Sequence, residues 1–299
     1  MKRDHKSLYA DLSLLLVAII WGSGFVATKI ASNSITALYM NAFRFSIASI
    51  LMVIVFFKRL KKANKNDVVA GAIIGFFLFS AFAAQTMGIY YTTPSKQAFL
   101  TGTNVVMVPF LYWIVEGEKP DRYNFIAAFL AVIGIGLLTL NKGIDINKGD
   151  SLTLLCALLF ACHIVSIGLF AKKHDPVILT VIQFITAAVL SIVLSFIFEP
   201  IPNSVTTKGI MAILYLGVFS TLVAFLIQTV AQKYTTSTHT AIILCLEAVF
   251  GSLLSVIILG DPFTVQMIIG SVVVFISIIT AETKWKFIRG NRKGEINNS

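Results

Sequence analysis

Ten apolar stretches, each about as long as a bilayer is thick, leave this chain few ways to fold. They run roughly over 11–31, 36–57, 68–91, 95–115, 122–140, 151–171, 177–198, 209–232, 238–259 and 263–283. A helix of ~20 residues crosses a hydrocarbon core of ~30 Å. Lipid offers the backbone no hydrogen-bond partner, so spanning segments are helices or closed barrel strands. These runs are continuously apolar rather than short and alternating, which argues against a barrel. The expected fold class is all-α integral membrane, with ten transmembrane helices. Composition agrees, since charged residues make up 13% of the chain, about half the share in a soluble domain. The first run carries Trp21 and Lys29 and lacks a small-x-small exit. It reads as a retained span, not a signal peptide.

The chain also repeats itself. A shift of 143 positions lays Gln85-Thr86 on Gln228-Thr229, Tyr91-Thr92-Thr93 on Tyr234-Thr235-Thr236, Ala98 on Ala241 and Gly117 on Gly260. The first two spans of each half align at a shift of 139, which pairs Asp11 with Asp150, Phe45 with Phe184 and Arg44 with Gln183. Two domains follow, 8–143 and 149–283, joined by the polar link 141–149 and trailed by a polar tail, 284–299. Each half holds five stretches, an odd number. If every stretch crosses, the second half enters the membrane from the face opposite the first. Such inverted five-helix repeats mark secondary transporters with a midplane site between the halves.

The formal net charge of +10 is explained by topology, and nucleic acid is not expected as a partner. Of 24 Lys and Arg, 18 fall in segments on the N-terminal side, 4 on the other, and Lys29 and Arg44 within spans. This bias puts both termini in the cytoplasm of a cell inner (plasma) membrane protein. The cysteines Cys156, Cys162 and Cys245 lie inside spans without metal-ligand spacing, so they read as small packing residues. No metal, cofactor, P-loop or hydrolase motif is expected. The chain therefore reads as a non-enzyme.

Ionisable and amide groups at membrane depth each need a reason. Glu247 lies about nine residues into its span, ~14 Å deep, and its mate Asn104 reaches similar depth from the other face. Glu247 would bind a substrate ammonium or exchange a proton, or be a buried glutamate bonded to another helix. Gln97, Thr101 and Asn104 make one polar stripe at i, i+4 and i+7, suited to a cavity wall or to helix–helix bonding. Gln85 and Gln228 are open to the same two readings. Arg44 would hold an anionic group or snorkel outward. Trp21 and Tyr90 would offer apolar walls. Trp21 and the following Gly22-Ser23-Gly24 are expected to break the first span. Pro109 and Gly251 would bend spans four and nine. The mates Lys96 and His239 open their helices near opposite surfaces, as gates or interfacial anchors. His163 reads as a packed, hydrogen-bonded histidine. Gly71-x-x-x-Gly75 reads as a close helix contact.

Taken together, the chain resembles the drug/metabolite transporter superfamily, in particular the EamA-like ten-helix permeases. The resemblance rests on Trp21-Gly22-Ser23-Gly24-Phe25-Val26, Arg44-Phe45, Gly102-Thr103-Asn104-Val105-Val106-Met107-Val108-Pro109, Leu246-Glu247-Ala248-Val249-Phe250 and Gly260-Asp261. It covers about 8–283. One departure is Ala248, where the family commonly has proline. The resemblance implies two inverted five-helix repeats around a central cavity. It also implies transport of small metabolites, often amino acids, including export, either gradient-coupled or passive. The expected protein is a permease for a small polar metabolite, working by alternating access, with protons as the candidate coupling ion. It would act as a monomer or weak homodimer. The alternatives are an intramembrane lipid-modifying enzyme and a passive channel.

Overall fold

A computed structural model describes residues 5–139, 147–260 and 264–283. The tail 284–299, most of the polar link, the basic residues Lys2 and Arg3, and Asp261-Pro262 lie outside the described residues. Within them the secondary structure is entirely helical. The elements are α1 (His5–Ala31), α2 (Ala37–Leu60), α3 (Lys65–Gly88), α4 (Pro94–Thr101), α5 (Asn104–Glu116), α6 (Arg122–Thr139), α7 (Lys148–Phe170) and α8 (Pro176–Phe198). A helix with a π-helical middle follows, made of α9 (Thr207–Tyr215), Leu216–Val223 and α10 (Ala224–Ala231). The last are α11 (Ser237–Leu244), α12 (Glu247–Leu259) and α13 (Val265–Thr283).

Eight stretches are long and apolar enough to cross a membrane, counting α4–α5, α9–α10 and α11–α12 as one each. The apolar parts of α6 and α13 are shorter, Arg122–Gly134 and Ile268–Ser277. Large apolar side chains such as Ile54, Val55, Phe196, Phe198 and Val265 face outward. Water would penalise that surface and acyl chains would not. The protein is an all-α, multi-pass membrane protein.

The helix ends recur at the spacing of the sequence repeat. Thr93 and Thr236 cap α4 and α11 in matching backbone conformations, φ −89° and ψ 154° against φ −89° and ψ 155°. Each hydroxyl accepts a bond from the third helical N–H, that of Lys96 or His239. Gly117 and Gly260 end α5 and α12 at φ 74° and 73°, the left-handed region that glycine enters without strain. Asn147 and Asp150 close a capping box on α7. Packing follows the same correspondence: α1 lies against α12 as α7 lies against α5, while α2 pairs with its own mate α8 and α6 with α13.

Three local expectations change. Spans four and nine are each two helices, broken at Gly102-Thr103 and Cys245-Leu246, where the bonding tightens to i→i+3. The breaks come before Pro109 and Gly251, which sit inside the second pieces. Span one is not broken at its glycines, and α1 runs through them. Gly22 serves close packing instead: a Cβ there would sit 2.7 Å from Phe250 Cβ and 2.8 Å from the Gly251 nitrogen. The close contact expected of Gly71 and Gly75 is present. A Cβ on either would come within 2.7 Å of α8, at Ile182 or Gln183.

Candidate functional site

The broken helices start their second pieces in the interior. Asn104 is the first residue of α5 and Glu247 the first of α12. A helix N-terminus presents unbonded N–H groups and a positive dipole end, so a carboxylate is favoured there. Both side chains line one small cavity, together with Trp21, Phe25 and Thr28 of α1, Arg44 of α2, and Phe82 and Gln85 of α3. Phe160 and His163 of α7, Ser220 of the π-helical stretch, and Phe225 and Gln228 of α10 complete most of the wall. The free volume is about 40 Å³, room for a few water molecules.

Arg44 and Glu247 set the electrostatics. Arg44 is 1% exposed and Glu247 5%. Arg44 Nε donates to Thr221 Oγ1 at 2.9 Å and one terminal nitrogen reaches Ser220 Oγ at 3.4 Å. The guanidinium lies 4.1 Å from the Phe82 ring centroid, a cation–π contact. The two ionisable groups line the same cavity, yet no ion pair within 4.0 Å joins them. Were both groups ionised, leaving them apart would be costly, because the hydroxyl and ring contacts of Arg44 replace water only in part and neither group gains the other. The wall also carries neutral acceptors without partners: Asn104 Oδ1, Gln228 Oε1 and His163 Nδ1. His163 Nε2 faces Gln183 Oε1 at 3.0 Å. Gln183 Nε2 reaches Thr229 Oγ1 at 3.4 Å, an amide orientation that turns Oε1 toward the histidine and assigns its proton to Nε2. The π-helical stretch shapes one side, where the Ser220 carbonyl accepts from Trp21 Nε1 at 2.9 Å.

The model of the EamA-like transporter family matches residues 8–140 and again 147–282. The chain belongs to the EamA-like transporter family. That places it in the drug/metabolite transporter superfamily, among transporters rather than enzymes, with a small-molecule substrate and a lipid surround. An "uncharacterized transporter" of Archaeoglobus fulgidus is 35% identical, over 92% of this chain and 86% of its own. The Bacillus subtilis "uncharacterized transporter YyaM" is 26% identical, over 97% and 98%. A chain solved by crystallography superposes with a TM-score of 0.77 at 17% identity, over 94% and 98%, a likeness of fold.

Of the site residues expected from sequence, this EamA-like chain brings Glu247, Asn104, Gln85, Gln228, Trp21 and Arg44 to one cavity. Arg44 does not snorkel; it is enclosed by α2, α3 and the π-helical stretch. Gln97 and Thr101 lie one layer behind: Gln97 Nε2 donates to the Gln85 carbonyl at 2.6 Å, and Gln85 Nε2 reaches Thr101 Oγ1 at 3.4 Å. Tyr90 is not a cavity wall. It sits past the end of α3, half exposed, and donates to the Ile35 carbonyl at 2.8 Å. Lys96 pairs with Asp150 at 2.6 Å, and its mate His239 meets Asp11 at 2.8 Å. Asp11 and Asp150 are themselves mates in the repeat. Sequence reasoning missed Phe82, Phe160 and Phe225 and left His163 in the packing. The repeat could have found them: Phe160 is the mate of Trp21, His163 of Gly24, and Phe225 of Phe82.

Proposed function

We propose that the protein is a secondary transporter that moves a small zwitterion, an amino acid or close relative, across the plasma membrane by alternating access. The observation that carries this reading is the unpaired couple of Arg44 and Glu247 on one cavity. A ligand with a carboxylate and an ammonium satisfies both charges at once. The carboxylate takes the free N–H groups of Arg44. The ammonium has three donors, which suit Glu247 and neighbouring acceptors such as Asn104 and Gln228. The same Glu247 carboxylate accepts a proton when the ammonium is gone, which offers a route to proton coupling. The aromatic rings would receive the apolar part of the substrate. A cavity of about 40 Å³ is too small for an amino acid, so loading requires the half-helices to part.

In this reading both termini are cytoplasmic and the halves are inverted. Each of the ten spans then crosses, with α6 and α13 as the fifth and tenth. Lys96–Asp150 and His239–Asp11 fall at opposite faces and act as the two gates. Gln97 and Thr101 position Gln85 behind the site.

The test is a ligand screen by thermal shift on the detergent-purified chain, followed by counterflow in proteoliposomes. Binding to the folded state raises the melting temperature by mass action. Amino acids should stabilise more than the matching amines or carboxylic acids. Glu247→Gln should insert normally and lose gradient-driven accumulation. Full accumulation by that variant would remove Glu247 from the mechanism. Equal shifts from all three ligand classes would remove the zwitterion.

A further inference from the structure

A second pocket, remote from the central cavity, gathers basic side chains where three helices end. Arg59 lies near the end of α2, Lys172 and Lys173 follow α7, and Lys233 follows α10. They surround a pocket of about 480 Å³. Its one carboxylate, Asp175, is already engaged: it caps α8 by accepting from the Val177 N–H at 2.8 Å and lies 3.8 Å from Arg59. His174 points at Asp67, 2.6 Å away. Four cations and one carboxylate therefore line the pocket, a positive surplus that favours entry of a negative group. The three lysines are exposed and make no ion pair with a described residue.

The pocket does not stop at its charges. Val230 and Tyr234 form part of its wall and also belong to an adjoining groove of about 410 Å³. That groove runs between Tyr9 and Ala10 of α1 and Leu226 and Ile227 of α10. Its surface is mostly apolar, and at the edge of a membrane protein it opens toward acyl chains. A basic pocket continuous with an apolar groove matches the two halves of one molecule.

We infer that this site holds an anionic phospholipid, its phosphate among Lys172, Lys173, Lys233 and Arg59 and one acyl chain along α1 and α10. A positive surface alone would attract such lipids diffusely. The pocket adds a fixed place for one. Lys58, Lys61 and Lys62 belong to the same end of α2 and the turn after it, yet none of them lines the pocket. They supply the control.

The experiment is native mass spectrometry of the purified full chain titrated with phosphatidylglycerol or phosphatidylcholine, with inorganic phosphate as competitor. One phosphatidylglycerol per chain should be retained in preference to phosphatidylcholine. The triple variant Lys172→Ala, Lys173→Ala, Lys233→Ala should weaken that retention about tenfold or more. The triple variant Lys58→Ala, Lys61→Ala, Lys62→Ala should leave it unchanged. Equal loss in both variants would reduce the effect to surface charge and overturn the site. Equal retention of both lipids would overturn it too. Efficient displacement by inorganic phosphate would assign the pocket to a free anion instead of a lipid.

Discussion

At the scale of single residues, Arg44 and Glu247 divide the recognition between them, and the division can be measured. Arg44 spends its Nε on Thr221 and one terminal nitrogen on Ser220. Its remaining N–H groups are what a carboxylate would meet. Arg44→Gln keeps a polar side chain of the kind its mate Gln183 already places in α8, and it removes the charge. Hydrogen bonds to charged groups contribute about 1.5–3 kcal/mol, which is roughly a 10–100-fold change in affinity. We expect Arg44→Gln to weaken binding of an amino acid by that factor and to leave the corresponding amine nearly unaffected, as read by calorimetric titration. Glu247→Gln should do the reverse, sparing the corresponding carboxylic acid. If both variants weaken both ligands alike, the substitutions have disturbed the cavity as a whole and the assignment of one charge to each end fails.

At the scale of elements, what the sequence conveys is uneven, and the reasons are physical. The positions of the eight long apolar stretches were legible because burial in lipid demands unbroken apolar runs. Gly117 and Gly260 were legible as repeat mates because a left-handed helix end favours one residue type. The break at Cys245-Leu246 was not, because neither residue carries breaker chemistry, and at Gly102-Thr103 Pro109 drew attention to the wrong turn. The glycines of α1 were misread for a related reason. Glycine permits both a break and a close approach, and only the neighbour decides. Here the neighbour is Phe250 of α12, 2.7 Å from where a Gly22 side chain would begin. The polar wall of the cavity was legible where a charge or amide stood out. The aromatic wall was not, since Phe82, Phe160 and Phe225 look like any other lipid-loving residue until the repeat pairs them. Gly22→Leu follows as a prediction for the α1–α12 contact. Overpacking of this kind typically costs about 1–3 kcal/mol. The variant should unfold at lower temperature in detergent. An unchanged melting temperature would mean the two helices do not approach this closely in the membrane.

For the whole molecule, the two pairs Lys96–Asp150 and His239–Asp11 carry the consequence of the repeat furthest. They are built from mates: Lys96 with His239 at a shift of 143, Asp150 with Asp11 at 139. Each ties the N-terminal end of a half-helix, α4 or α11, to the start of a long helix, α7 or α1. Both contacts are formed together, and the cavity between is small. In the proposed inverted topology one pair faces each side of the membrane, and opening toward one side requires only that side's pair to part. Cross-linking tests this directly. With Cys156, Cys162 and Cys245 replaced, Lys96→Cys with Asp150→Cys can be joined by a short bifunctional thiol reagent, and so can His239→Cys with Asp11→Cys. Either cross-link should abolish counterflow, because a full cycle needs both ends to open. The sides should differ. With the Lys96–Asp150 end locked, a thiol introduced afterwards at the cavity by unblocking Thr28→Cys should react only with reagents from the cytoplasmic side. With the His239–Asp11 end locked, it should react only from the opposite side. Labelling from the same side in both cases would place the two pairs on one face and rule out the inverted arrangement, whatever the substrate proves to be.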